Sequence, residues 1–257
     1  LFSTESRKPI LQKYYGGKMK KTIFLLLLAF IFTSASSMTV DEVMERMEKN
    51  MTHDNIIYLA SMNIKTGDGI RTMQMKMYIK NENNVLVEIL ESTEGNKSRF
   101  LKKDDAMWLY IPAAGRSVLI KGHMLKEGFM GSNFSYEDIS ENRKIRDIYS
   151  IQMEEDSLYY ILTMTAKTDD APYKLKKSYV MKDAFLPKRE EIYSSSKRLL
   201  KEFEVEEYKE IGGINIPSKI MMRDLLLRDD YTEINYTHID LSTKIPNSYF
   251  TKTYLER

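Results

Sequence analysis

The run IIYLASMNIKTGDGIRTMQMKMYI, residues 56–79, decides the fold class. Ile56, Tyr58, Ala60, Met62 and Ile64 recur at every second position with Ser61 and Asn63 between them, and after Thr66-Gly67-Asp68-Gly69 the same period resumes at Met73, Met75, Met77 and Ile79. A period of two broken by a glycine-containing turn is the signature of an antiparallel hairpin with one apolar face.

Upstream the period is helical. Thr39 with Glu42 three residues later forms a capping box, and Val40, Val43, Met44 and Met47 continue at helical spacing to about Asn50. Downstream, strand patterns run through residues 85–89, 106–111, 117–121, 148–153, 158–165, 173–181, 188–194, 200–208, 216–223 and 232–239, most of them separated by Gly, Asn, Asp or Pro. Alternation fails between residues 122 and 143, which reads as a loop with short helical turns. About ten antiparallel strands in sequence order imply a strongly curved sheet or open barrel, and an apolar face on such a sheet has to be covered. Only the first helix and the 122–143 segment are available as cover. That looks too little to fill the concavity, so an apolar cavity open to acyl chains is expected, each buried CH2 stabilising a ligand by about 0.8 kcal/mol.

The N-terminus reads as a targeting segment. Met19-Lys20-Lys21 is a basic start, Ile23 to Phe32 an apolar run too short for the roughly 20 residues of a spanning helix, and Ala35-Ser36-Ser37 a small-residue cleavage site. Residues 1–18 are expected to be an upstream mis-start, residues 19–37 a signal peptide, and residues 38–257 a single domain. Loss of residues 1–37 removes six of the 39 Lys+Arg and one of the 37 Asp+Glu, leaving a net charge of −3 and little support for nucleic-acid binding. The basic run Lys174-Leu175-Lys176-Lys177 reads as a solvated strand face. There is no cysteine, hence neither a disulfide staple nor the acylated Cys of a lipoprotein, and a soluble monomer is expected.

Four further stretches carry a family likeness: Met107-Trp108-Leu109-Tyr110-Ile111-Pro112 leading to Phe129-Met130-Gly131-Ser132-Asn133-Phe134-Ser135-Tyr136-Glu137-Asp138-Ile139, then residues 186–191, 208–217 and 245–251. With these the chain resembles outer-membrane lipoprotein-sorting proteins of the LolA-like superfamily, in the branch with a WLYIP and FMGS(D/N)FSYED pattern. The resemblance implies a mainly β fold: an open half-barrel, LolA/LolB-like, covered by an N-terminal helix and an internal helical loop. It also implies a periplasmic carrier of lipoprotein acyl chains or another lipid. Its partners would be an inner-membrane transporter or exporter, of the resistance-nodulation-division type in this branch, and an outer-membrane acceptor.

Candidate lipid-contacting residues are Met62, Met73, Met75 and Met77, whose flexible thioether side chains suit a variable apolar ligand, with Val85, Val87 and Ile89 on the neighbouring strand, and Trp108 and Tyr110. Either face of the 107–111 strand could line the cavity. Phe129, Met130, Gly131 and Phe134 are candidates for a lid, Gly131 supplying a tight bend. Asn133 stands where the family usually has Asp, which keeps turn geometry and removes a charge.

No catalytic, metal or cofactor site is expected. There is no Gly-x-Ser-x-Gly elbow or phosphate loop, His53, His123 and His238 are far apart, and Asp104-Asp105, Glu154-Glu155 and Asp229-Asp230 adjoin turns where solvated acids belong. A carrier is the leading reading. The alternatives are a lipid-acting hydrolase, an accessory lipid-binding protein of an exporter, and a purely structural module.

Overall fold

The structure, a computed structural model, describes residues 37–257 apart from 82, 96, 141–143 and 228. The expected signal peptide and mis-start lie outside the described residues except for Ser37. The helices and strands described all lie in the unit Thr39–Arg257. Among the described residues no helix is long and apolar enough to cross a membrane.

Helix α1, Val40–Met51, starts as the sequence requires: the Glu42 amide donates to Thr39 Oγ1 and the Glu42 carboxylate accepts from the Thr39 amide at 2.8 Å. Its buried face is Val43, Met44 and Met47. The strands follow as β1 (Asn55–Thr66), β2 (Gly69–Lys80), β3 (Asn84–Ser92), β4 (Arg99–Lys103), β5 (Ala106–Ile111) and β6 (Arg116–Ile120), then β7 (Tyr149–Glu155), β8 (Tyr159–Ala166), β9 (Leu175–Met181), β10 (Pro187–Tyr193), β11 (Leu199–Ile211), β12 (Ile214–Asp224) and β13 (Tyr231–Asp240). Between β6 and β7 lie short 3-10 turns and helices α2 (Tyr136–Ser140) and α3 (Ile145–Ile148), and α4 (Lys252–Leu255) closes the chain. Strand β4 had no separate place in the sequence pattern, because Lys102 and Lys103 interrupt the apolar alternation of so short a segment.

All thirteen strands form one open antiparallel sheet in the order β6-β5-β4-β3-β2-β1-β13-β12-β11-β10-β9-β8-β7. Laid flat it would be roughly 60 Å wide at the usual strand spacing of about 4.8 Å. Yet Ile120 of β6, Phe100 of β4, Met62 of β1, Met222 of β12 and Ile192 of β10 share one core cluster, so the sheet is curled around a common interior. Register shifts at Leu59/Ala60, Gln74/Met75, Ile192/Tyr193 and Val205/Glu207 supply local bends. The expected mainly β, strongly curved antiparallel sheet is what the chain forms.

The convex side is also covered in part. Ile245, Phe250 and Leu255 pack on Tyr78, Leu86 and Leu101 of β2–β4. Lys80 Nζ donates to Ile245 O and Asn247 Oδ1, both at 2.8 Å, and Ser117 Oγ to Glu256 Oε1 at 2.6 Å. The C-terminal segment is therefore strapped across β2–β6 from outside.

Candidate functional site

The seven aliphatic and Met candidates come together on the concave wall. Cross-strand pairing sets Met62 opposite Met73, Ala60 opposite Met75, Met75 opposite Ile89, Met77 opposite Val87 and Ile79 opposite Val85. Directly opposed residues share a face, so Met62, Met73, Met75, Met77, Val85, Val87 and Ile89 form one patch across β1–β3. Trp108 and Tyr110 do not belong to it. Met107 and Leu109 of β5 join the interior cluster, whereas Trp108 and Tyr110 pack with Tyr78, Leu86, Leu101 and the C-terminal segment on the convex side. Two covered faces make both sides of β5 apolar, which is why alternation alone could not choose between them.

Among the described residues the patch is covered rather than open. Met62, Met75 and Val87 are each 1 % exposed, because the segment between β6 and β7 fills the concavity. Phe129, Phe134 and Tyr136 are buried members of the same cluster, with Met130 half-buried against it. The rings of Phe100, Phe129 and Tyr136 lie 5.3–5.8 Å apart, and Phe134 meets Phe203 of β11 edge-on at 6.2 Å. A cavity of about 240 Å³ remains beside this segment, lined mainly by polar residues such as Lys102, Asp105 and Glu137 with Met107 and Ile120. That is below the roughly 300–1,000 Å³ of ligand pockets. Admitting a lipid tail to the Met patch requires the segment to move.

The segment is built as a self-contained plug. Phe129 N donates to Phe134 O at 2.6 Å and Tyr136 N to Glu127 O at 3.1 Å, closing a small loop across a Gly128–Ser135 bridge. Ser135 and Asp138 cap one another, Ser135 N to Asp138 Oδ2 at 2.7 Å and Asp138 N to Ser135 Oγ at 3.1 Å. Gly131 sits at φ +73, as its bend requires, and a Cβ there would stand 2.6 Å from Arg71 Nη2. Gly128 matters equally, since a Cβ on it would meet Ser132 O at 2.2 Å.

Besides its buried rings, polar contacts pin the plug to the sheet. Thr232, fully buried on β13, accepts from Asn133 N at 2.9 Å and donates to Asn133 Oδ1 at 2.8 Å. Arg71 Nη2 donates to Gly131 O at 3.0 Å. Lys201 Nζ donates to Asn133 O at 2.8 Å and lies 3.8 Å from Asp138 Oδ2, whose other oxygen accepts from the Tyr173 hydroxyl at 2.8 Å. Burial, then the Asp138 charge, pushes the Tyr173 phenol far above its ordinary value, so it stays a donor. None of these partners was among the sequence candidates.

The concave wall of β9–β11 carries charge as well. Lys176 stands opposite Ile192, and Ile192 opposite Lys201, an interior position. Lys176 pairs with Glu190 at 2.7 Å. Burial alone would lower the Lys176 ammonium, but Glu190 more than offsets it and raises it above the ordinary lysine range. The expected solvated strand face is thus wrong for Lys176: the pleat turns it inward, where a facing carboxylate stabilises it.

Solved structures share this architecture. An outer membrane lipoprotein-sorting protein domain from Vibrio parahaemolyticus, so identified provisionally, aligns with TM-score 0.76 and 21 % identity over 84 % of this chain and 97 % of that one. A LolA superfamily protein from Nitrosomonas europaea gives 0.69 and 22 % over 85 % and 100 %. A DUF1329 family protein from Desulfovibrio piger gives 0.74 and 24 % over 83 % and 96 %. No curated protein sequence matches. A family model described as "Uncharacterized protein" matches residues 81–257, well over half of the chain. The chain belongs to the family of that model, and its fold is the LolA-like one.

Proposed function

We propose that this protein is a non-enzymatic carrier that shields the acyl chains of a lipoprotein or another lipid on the Met62–Ile89 patch of its concave face. It would work in the periplasm after a cleaved signal peptide directs its export, between an inner-membrane transporter or exporter and an outer-membrane acceptor. The observation that carries the reading is an apolar wall sealed by a loop with its own internal hydrogen bonds, seated on the wall by buried rings and by a few polar contacts. An acyl chain taking the place of Phe129, Phe134 and Tyr136 would replace the apolar burial that they supply. The fold shared with lipoprotein-sorting domains supports the same reading. Mass spectrometry of lipid extracted from the purified protein, with titration of a fluorescent acyl probe, tests it. Saturable probe uptake and a co-purified lipid recovered intact are expected. A protein that neither retains lipid nor takes up the probe, even with the plug loosened, overturns it, and time-dependent loss of an ester replaces it with the hydrolase.

A further inference from the structure

The concave wall is divided chemically, and the plug matches both parts of it. Over β1–β5 the wall is Met, Val, Ile and Phe, with the buried Lys102 between Val85 and Met107, and faces Phe129 and Tyr136; over β9–β11 Lys176, Glu190 and Lys201 stand beside Ile192 and Phe203, and the plug sets the Asp138 carboxylate among the charges. The plug thus presents an apolar body and an acidic head. Building on the carrier reading, we infer that the ligand which takes its place has the same two parts: an anionic amphiphile, its tail on the Met patch and its carboxylate or phosphate head on Lys201 and Tyr173 where Asp138 lies.

The argument is one of replacement. Displacing the plug removes two acceptors from Lys201, Asn133 O and Asp138 Oδ2, and one from the Tyr173 hydroxyl. A half-buried ammonium and a half-buried phenol left without acceptors are costly. Other carboxylates nearby are occupied: Glu190 by Lys176, and Asp224, opposite Lys201 on β12, by the amides of Leu226 and Leu227 at 2.8 and 3.3 Å. With Asp138 gone, Lys201 and the Tyr173 hydroxyl lose the acceptors that the plug supplied. An uncharged tail leaves both unanswered, whereas an anionic head restores the lost contacts with charge-assisted hydrogen bonds. Ser178, 1 % exposed and opposite Glu190 on the same wall, has a hydroxyl with no protein partner and adds a donor to the head site. Four strand spacings, about 19 Å along the sheet, separate the strand of Lys201 from that of Met75, room for a long chain to lie across the wall.

The test compares dodecanoate and dodecyl phosphate with uncharged 1-dodecanoylglycerol by calorimetric titration of the full chain, with acetate and inorganic phosphate as tail-free probes. Both anionic amphiphiles should bind at least ten-fold more tightly than the uncharged one, and the tail-free anions should not bind measurably. Lys201→Gln should bring the ratio to within about three-fold, Lys201→Arg should keep it, and Tyr173→Phe should reduce it. The ratio is the readout, since loosening the plug raises the affinity of charged and uncharged ligands alike. Equal binding of both classes by the wild-type protein overturns the inference and leaves the carrier standing. A preference that persists in Lys201→Gln, or in Tyr173→Phe should the first variant not fold, places the head elsewhere and also overturns it. Tight binding of the tail-free anions would make this an anion site without an amphiphile. Binding of no amphiphile at all removes the carrier reading itself.

Discussion

Thr232→Val isolates the plug's attachment from its packing. The hydroxyl is fully buried, accepts from Asn133 N at 2.9 Å and donates to Asn133 Oδ1 at 2.8 Å. Valine has nearly the same shape and neither capacity, leaving a backbone amide and a side-chain oxygen without their partner. Such losses cost about 1–3 kcal/mol each; taking about 2 kcal/mol in all, because the Asn133 side chain can turn, is a conservative figure. The cost falls on the closed form, so the displaced form gains by the same amount, a factor of roughly 30 at 1.4 kcal/mol per decade. Apparent affinity scales with the fraction of competent protein, so an acyl probe should bind roughly 30-fold more tightly while the melting temperature falls by about 4–8 °C. Fluorescence titration and thermal unfolding of the same preparation measure both. A variant that loses stability without binding more tightly would show that Asn133–Thr232 is ordinary core hydrogen bonding and that the plug does not gate.

Further outcomes are expected on other parts of the molecule. Trp108, the only tryptophan, lies under the C-terminal segment and away from the Met patch, so deletion of residues 245–257 should shift its emission to the red, while a brominated acyl chain should scarcely quench it; strong quenching would put Trp108 back in the site. Gly131→Ala must accept φ +73 beside Arg71, which should cost about 1 kcal/mol or somewhat more and lower the melting temperature by a few degrees; an unchanged melt would show that the loop relaxes freely. Burial would raise the Glu233 carboxyl, but Lys219 Nζ at 3.1 Å and the amides of Asn235 and Asn63 lower it overall. A depressed carboxylate contributes stability above its unfolded value and loses it as the pH falls through the folded one. Glu233→Gln should therefore be less stable at pH 7, with the gap to wild type closing below about pH 4.5; a gap constant from pH 7 to 3 would refute the assignment.

Much of this architecture is written in local pattern, and its limits are physical. The capping box at Thr39 and Glu42 and the alternation of β1 and β2 depend only on near neighbours, and each is realised in the structure. The same period brought the seven aliphatic and Met candidates to one face, because pairing register preserves sidedness. Periodicity separates two faces without saying what covers each, and at β5 the C-terminal segment covers one and the plug the other, hence the misplacement of Trp108 and Tyr110. Charge misled in the same way at Lys176, whose partner Glu190 lies on a different strand. The plug's anchors at Arg71, Tyr173, Lys201 and Thr232 come from four separate parts of the chain, and only the curled sheet brings them within reach of Gly131, Asn133 and Asp138.

The strand order has a consequence for how the molecule assembles. Every neighbouring pair is joined to the next strand in the chain except one, β1 with β13, where Lys65 meets Tyr231 and Ile57 meets Asp240. Two meanders can each zip up from local hairpins soon after synthesis, while the seam between them must wait for the last strand, a long and therefore slow loop closure. Until then the inner edge of β1, next to the Met-rich β2, is an unpaired strand with an apolar side, the kind of edge that seeks other chains. The growing chain is thus most vulnerable to aggregation along β1, its first strand and the middle of the finished sheet, and substitutions that weaken the seam should lower the yield of folded protein well before they lower its melting temperature.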